Sequence, residues 1–156
     1  MRKEVISKVI EKIPGISYNE IVRETGFSNG VISHYIIKLM ESKEIEKEGE
    51  KRGKYFMRNI PKRDRVIISL LRNKTNNDVF RHIMKSSELN EDVNANQISK
   101  KVKKSGSTIS VSLKILQKNN IVERVIMNKN SKLTNDIGYK ISNKKLWTAY
   151  FMKYNL

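Results

Sequence analysis

Ile21 to Ile45 read IVRETGFSNGVISHYIIKLMESKEI, and Ile98 to Val122 read ISKKVKKSGSTISVSLKILQKNNIV. Laid over one another at an offset of 77 residues, their anchors coincide: Ile21 with Ile98, Thr25 with Val102, Ile32 with Ile109, Ile36 with Leu113, Leu39 with Leu116, Ile45 with Val122. Two hydroxyls coincide as well, Ser28 with Ser105 and Ser33 with Ser110. Each copy predicts a helix, a tight turn, a capped second helix and the start of a strand.

The residues outside the repeat extend that layout. Val5, Ile6, Val9, Ile10 and Ile13 form one helical stripe over Arg2 to Ile13, which Pro14-Gly15 ends. Ser17 with Glu20 three residues on is a capping box for the helix to Thr25. Gly26 makes the turn, and Ser28 caps a helix running to about Lys43. Glu44–Glu48 and Tyr55–Arg58 read as two strands joined by the charged turn around Gly49 to Gly53, a wing.

Past Pro61, Arg63 to Arg72 predicts a connecting helix with Val66, Ile67, Leu70 and Leu71 on its apolar side. Asn76 or Asn77 is expected to cap a helix holding Val79, Phe80, Ile83 and Met84, and Ser86 to Asn94 to be a loop. Helices over Asn96–Lys104 and Ser105 to about Lys118 follow, then strands Ile121–Asn128 and Gly138–Ser142 with a polar tip between them. A last helix, Lys144 to Tyr154, carries the stripe Leu146, Trp147, Tyr150, Phe151 and Tyr154.

The expected fold is therefore mainly α with small β wings, an α+β protein. It comprises two tandem winged helix-turn-helix modules, residues 1–60 and 76–143, a connecting helix in 61–75 and a C-terminal helix in 144–156. Each module is near the lower size limit for an independent core.

The 156 residues carry a formal net charge of +16, which points to a polyanionic partner. Residues 1–60 hold 12 basic and 9 acidic side chains, a net of +3; residues 61–156 hold 20 and 7, a net of +13. The second module is expected to supply most of the salt-dependent affinity. The chain has no cysteine, which excludes disulfides, thiolate zinc sites and cysteine nucleophiles. The segment MRKEVISKVIEK has no long apolar run, so neither a signal peptide nor a membrane span is expected, and the expected location is the cytoplasm.

In a helix-turn-helix the second helix enters the major groove, and its N-terminal and outward residues touch bases. In the first module those are Ser28, Asn29, Gly30, Val31, Ser33, His34 and Lys38. Asn29 can pair twice with adenine, His34 and Lys38 can reach guanine or phosphate, and Val31 can touch a thymine methyl. In the second they are Gly106, Ser107, Thr108, Ser110, Val111 and Lys114, which suit close backbone approach and phosphate bonds. Lys100, Lys101, Lys103 and Lys104 lie beside the capping Ser105, at a helix start that favours phosphate. The wing tips hold Lys51, Arg52 and Lys54, and Lys129 and Lys132. A narrow AT-rich minor groove attracts Arg52 in particular, although Glu46, Glu48 and Glu50 interleave with the bases of that wing. Taken singly, each of these side chains could equally be a cap or a solvated charge.

The run EIVRETGFSNGVISHYIIKLMESKEIEKEGEKRGKYF resembles the winged helix-turn-helix of archaeal and bacterial MarR/ArsR-type regulators. KKVKKSGSTISVSLKILQKNNIVER has the same pattern without the central glycine. Two such modules in one short chain also resemble the euryarchaeal regulator of archaellum genes. The resemblance implies an archaeal transcription regulator that binds double-stranded, AT-rich promoter or operator DNA, with the basal transcription machinery as a further partner. The chain lacks the cysteines and clustered histidines of metal-sensing relatives, so no metal or small-molecule sensing is carried over.

His34 and His82 stand in different modules without a carboxylate pattern, and no phosphate loop, zinc spacing or nucleophile motif occurs. Neither an enzyme nor a cofactor or metal site is expected. A homodimer is expected, held by the connecting and C-terminal helices; otherwise their stripes pack within the chain. The alternative function is a protein-binding scaffold in a transcription or replication assembly.

Overall fold

The computed structural model of the chain describes residues 1–127 and 137–156. It divides into two compact units, Met1–Leu70 with Asn155, and Leu71–Tyr154 with Leu156.

In the first unit α1 (Arg2–Lys12) buries Ile6 and Ile10 completely. β1 (Ile16–Ser17) leads into α2 (Tyr18–Thr25), whose capping box is formed by Ser17 and Glu20. Gly26 ends α2 in the left-handed region, at φ 70°. Ser28 accepts from the Val31 amide and starts α3 (Asn29–Glu41). Ile32, Ile36 and Leu39, one helical stripe, fix α3 to the core shared with Ile6, Ile10, Ile16 and Ile21. Each such burial is worth about 1.5–3 kcal/mol. β2 (Ile45–Glu48) and β3 (Lys54–Met57) form an antiparallel hairpin, and β1 adds to β3 with Ile16 opposite Tyr55.

α4 (Lys62–Arg72) buries Arg65, Ile67, Ile68 and Leu71. Val66, expected on the apolar side, is 60% exposed. The buried positions step by three and four residues, and Val66 falls on the opposite face.

The second unit repeats the first. α5 (Lys74–Glu88) packs on α6 (Ala95–Val102), α7 (Gly106–Lys118) and the hairpin of β4 (Val122–Ile126) and β5 (Ile137–Ile141). α6 and α7 lie 77 residues after α2 and α3 at both ends. The offset reaches the backbone: Lys103 and Asn120 are left-handed where Gly26 and Lys43 are. It also reaches the Val93–Tyr139 bridge, since Val93 stands where Ile16 pairs with Tyr55.

Two helix starts differ from expectation. α5 is capped by Asn73, whose Oδ1 accepts from the Asn76 amide, rather than by Asn76 or Asn77. Asn76 is instead buried and accepts from the Ser112 hydroxyl at 2.7 Å, pinning α7 to α5. α6 begins at Ala95, where Asn94 and Gln97 make a second capping box, and ends at Val102 because Lys103 turns left-handed. The expected loop is shortened at its start, since α5 continues through Ser86 to Glu88.

α8 (Lys144–Lys153) lies against its own unit. Phe151 stacks on Phe80 with centroids 4.9 Å apart, Arg81 stands 4.8 Å from the Phe151 centroid, and Trp147 and Tyr154 are buried. Leu146 and Met152 remain exposed. The architecture is mixed α+β and winged-helix-like. No described helix is long and apolar enough to cross a membrane.

Candidate nucleic-acid interface

The start of α3 projects a polar surface because its apolar stripe faces the other way. Ser28, Asn29, Gly30, Ser33, His34 and Lys38 are all exposed, while Val31 is half-buried. A Cβ added at Gly30 would meet nothing within 4 Å, so bare backbone faces open space there. His34 meets Tyr35 edge-on at 5.0 Å, which fixes its ring on the outward face.

A residue outside the expected set positions this surface. The Tyr18 hydroxyl donates to the Asn29 carbonyl at 2.8 Å and lies 2.8 Å from the Ser33 hydroxyl. With its proton on Asn29, Tyr18 can accept from Ser33. α2 thus clamps the first turn of α3, and Ser33, with its proton on Tyr18, is left as an acceptor. The repeat places Ala95 where Tyr18 stands, so the second unit cannot form this clamp. Ile37 is 52% exposed beside His34 and Lys38 and adds an apolar contact suited to a thymine methyl.

α7 exposes Gly106, Ser107, Thr108, Ser110, Val111 and Lys114. The Ser105 hydroxyl accepts from the Thr108 amide and lies within 3.1 Å of the Ser107 and Thr108 hydroxyls, a compact knot at the helix start. Lys103 and Lys104 precede that knot directly and are exposed. Lys100 and Lys101 instead line an open hollow with His82, Ser86, Glu91, Val93 and Gln97. The four lysines, one run in sequence, are thus two groups in space. Burial, then the charges of Lys101 and Lys85, holds the His82 imidazole below its ordinary range.

In the first wing Lys51 and Arg52 are exposed and Lys54 is half-buried. The neighbouring acids do not simply interleave: Glu46 and Glu48 both accept from Arg65. Lys129 and Lys132 lie outside the described residues. Among the described residues no group of His, Cys, Asp or Glu could hold a metal ion, and no buried side-chain polar atom lacks a hydrogen-bond partner.

No family model matches the chain, and no curated protein sequence does. One solved structure it is similar to is the crystal structure of ScpB from Mycobacterium tuberculosis. The two are 10% identical, with 95% of this chain and 92% of that chain covered, at a TM-score of 0.38. A likeness this distant transfers no activity to the chain.

Proposed function

We propose that the chain is a sequence-specific, double-stranded DNA-binding transcription regulator. It is built from two winged helix-turn-helix modules, residues 1–60 and 76–143. α3 and α7 read major grooves, and the wings touch backbone or minor groove. The observation that supports this best is the pair of helix starts: each second helix exposes a capped, polar first turn, preceded directly in α7 by Lys103 and Lys104, on a chain of net charge +16. Backbone affinity comes mostly from the second module, and base discrimination from Asn29, His34 and Lys38, whose donors and acceptors distinguish base edges. The proposed working form is a cytoplasmic homodimer on an AT-rich, two-fold or repeated operator. The archaeal resemblance adds archaellum genes as targets and the basal transcription machinery as partner. We assign it no reaction and no cofactor.

The exposed Ile37 and Met40 on α3 favour a second reading, a protein-binding scaffold. A gel-shift assay with labelled promoter fragments and competitor DNA, followed by footprinting, separates the two. Discrete shifts that survive random competitor support the regulator. Failure to shift any duplex at micromolar protein refutes it.

A further inference from the structure

The β2–β3 hairpin sorts its charges by strand alternation. Directly opposed residues share a face. Glu46 opposes Phe56 and Glu48 opposes Lys54 on one face, while Lys47 opposes Tyr55 on the other. Arg65 of α4, only 4% exposed, covers the first face. Its Nη1 donates to Glu46 Oε2 at 2.5 Å and to Glu48 Oε1 at 2.9 Å. Its Nε donates to the Ile60 carbonyl and its Nη2 to the Arg58 carbonyl. The guanidinium also stands 5.9 Å from the Phe56 ring centroid. Arg58 comes within 3.7 Å of the remaining Glu46 oxygen. Both carboxylates are therefore held and neutralised on the face that meets α4.

A hollow of about 660 Å³ lies at the turn end of the same hairpin, where the start of α2 meets the wing. Lys47, Lys51, Arg52 and Lys54 line it together with Asn19, and no carboxylate does. Lys47 reaches over the wing turn because residue 53 is glycine: a Cβ there would lie 2.1 Å from the Lys47 Cε. Its ammonium donates to the Glu50 carbonyl at 3.3 Å, which holds it at the rim. The Ser17 hydroxyl is already committed to Glu20, so the free donors are the cations and the Asn19 amide.

We propose that this hollow is a phosphodiester site for the backbone of duplex DNA, and that Arg65 makes it one by taking Glu46 and Glu48 out of its field. The site rests on the DNA-binding function proposed above and adds Asn19, Lys47 and Arg65 to it. Arg65 is a positioning residue that touches no phosphate.

The test uses the full chain and a fluorescein-labelled random duplex of about 25 base pairs, with anisotropy followed from about 50 to 200 mM KCl. Lys47→Gln with Arg52→Gln should flatten the slope of log affinity against log salt by about 1.8, two contacts at 0.9 each. The drop in affinity over that fourfold salt range then shrinks about 12-fold. Arg65→Met should weaken duplex binding, because two uncompensated carboxylates are left on the other face of the same hairpin. Adding Glu46→Gln and Glu48→Gln to Arg65→Met should restore it, although the lock stays broken. Thermal melts confirm that each variant is folded.

A triple variant as weak as Arg65→Met overturns the electrostatic role of Arg65. A slope unchanged in Lys47→Gln/Arg52→Gln, with wild type binding normally, overturns the site alone. Wild type that binds no duplex overturns the proposed function and this site with it. If inorganic phosphate at about 10 mM stabilises wild type but not the double variant, while duplex binding is the same for both, the site takes a free anion and the phosphodiester assignment is wrong.

Discussion

Replacing Lys103 by glycine should make the protein more stable and its DNA binding weaker. Lys103 ends α6 in the left-handed region, at φ 61° and ψ 45°, where the first unit has Gly26 at φ 70°. A side chain in that region costs roughly 1–2 kcal/mol. Glycine relieves this cost but loses roughly 0.5–1 kcal/mol through the greater freedom of the unfolded chain. The net gain lies between about 0 and 1.5 kcal/mol, with a midpoint of about 0.75, or about 3–6 °C in melting temperature for a unit of this size. The same change removes one exposed ammonium immediately before the Ser105–Thr108 knot at the start of α7. One lost phosphate contact flattens the salt slope by about 0.9, so the affinity drop across a fourfold salt range shrinks about 3.5-fold. Calorimetric melts and anisotropy titrations on the same preparation measure both effects. A lower melting temperature would refute the strain argument. An unchanged slope would show that Lys103 is a solvated charge and that its backbone conformation serves nothing in binding.

Three further outcomes follow from named contacts. Asn29→Ala should cost operator binding about 1–3 kcal/mol and leave random DNA nearly unaffected; equal losses on both would make Asn29 a backbone contact. Phe151→Ala should destabilise the second unit by roughly 2–3 kcal/mol, below the full-burial figure because the ring is half-buried. Circular dichroism melts check this, and an unchanged melting temperature would mean the Phe80 stack adds little. The hydrogen bond from Arg65, then the charges of Arg65, Arg58 and Lys62, holds the Glu46 carboxyl below its ordinary range against the opposing effect of burial. Its contribution is therefore present above the unfolded value near about 4.3 and is lost as pH falls through the lower folded value. Urea melts from pH 6 downward should show Glu46→Gln with a flatter decline than wild type, and identical curves would remove Glu46 from the account.

The parts legible in the sequence were those set by local rules. The Ser17–Glu20 box, the Ser28 and Ser105 caps and the turn at Gly26 each depend on residues within three or four positions. The offset of 77 then carried those rules to the second copy. Asn73 and the Asn94–Gln97 box were harder because they lie in polar stretches with several competing asparagines, and only the helix ends decide which one caps. Arg65 carries no local signal of its role. Its partners are 17 and 19 residues away, and no local periodicity connects them. The Tyr18 clamp is hidden for the same reason, since an aromatic at a helix start reads as core until its hydroxyl is seen to reach α3. Ile37 shows the reverse: an apolar residue in an apolar helix that happens to face outward.

The central claim, that the exposed faces of α3 and α7 contact duplex DNA, is tested most directly by amide chemical-shift mapping of the isotope-labelled full chain titrated with an AT-rich duplex. The largest shifts are expected at Asn29–Lys38, at Lys103–Lys114 and at Lys47–Arg52, with α1 and α5 nearly still. Shifts confined to Leu146–Met152 and Val66, or none at saturating DNA, would contradict it.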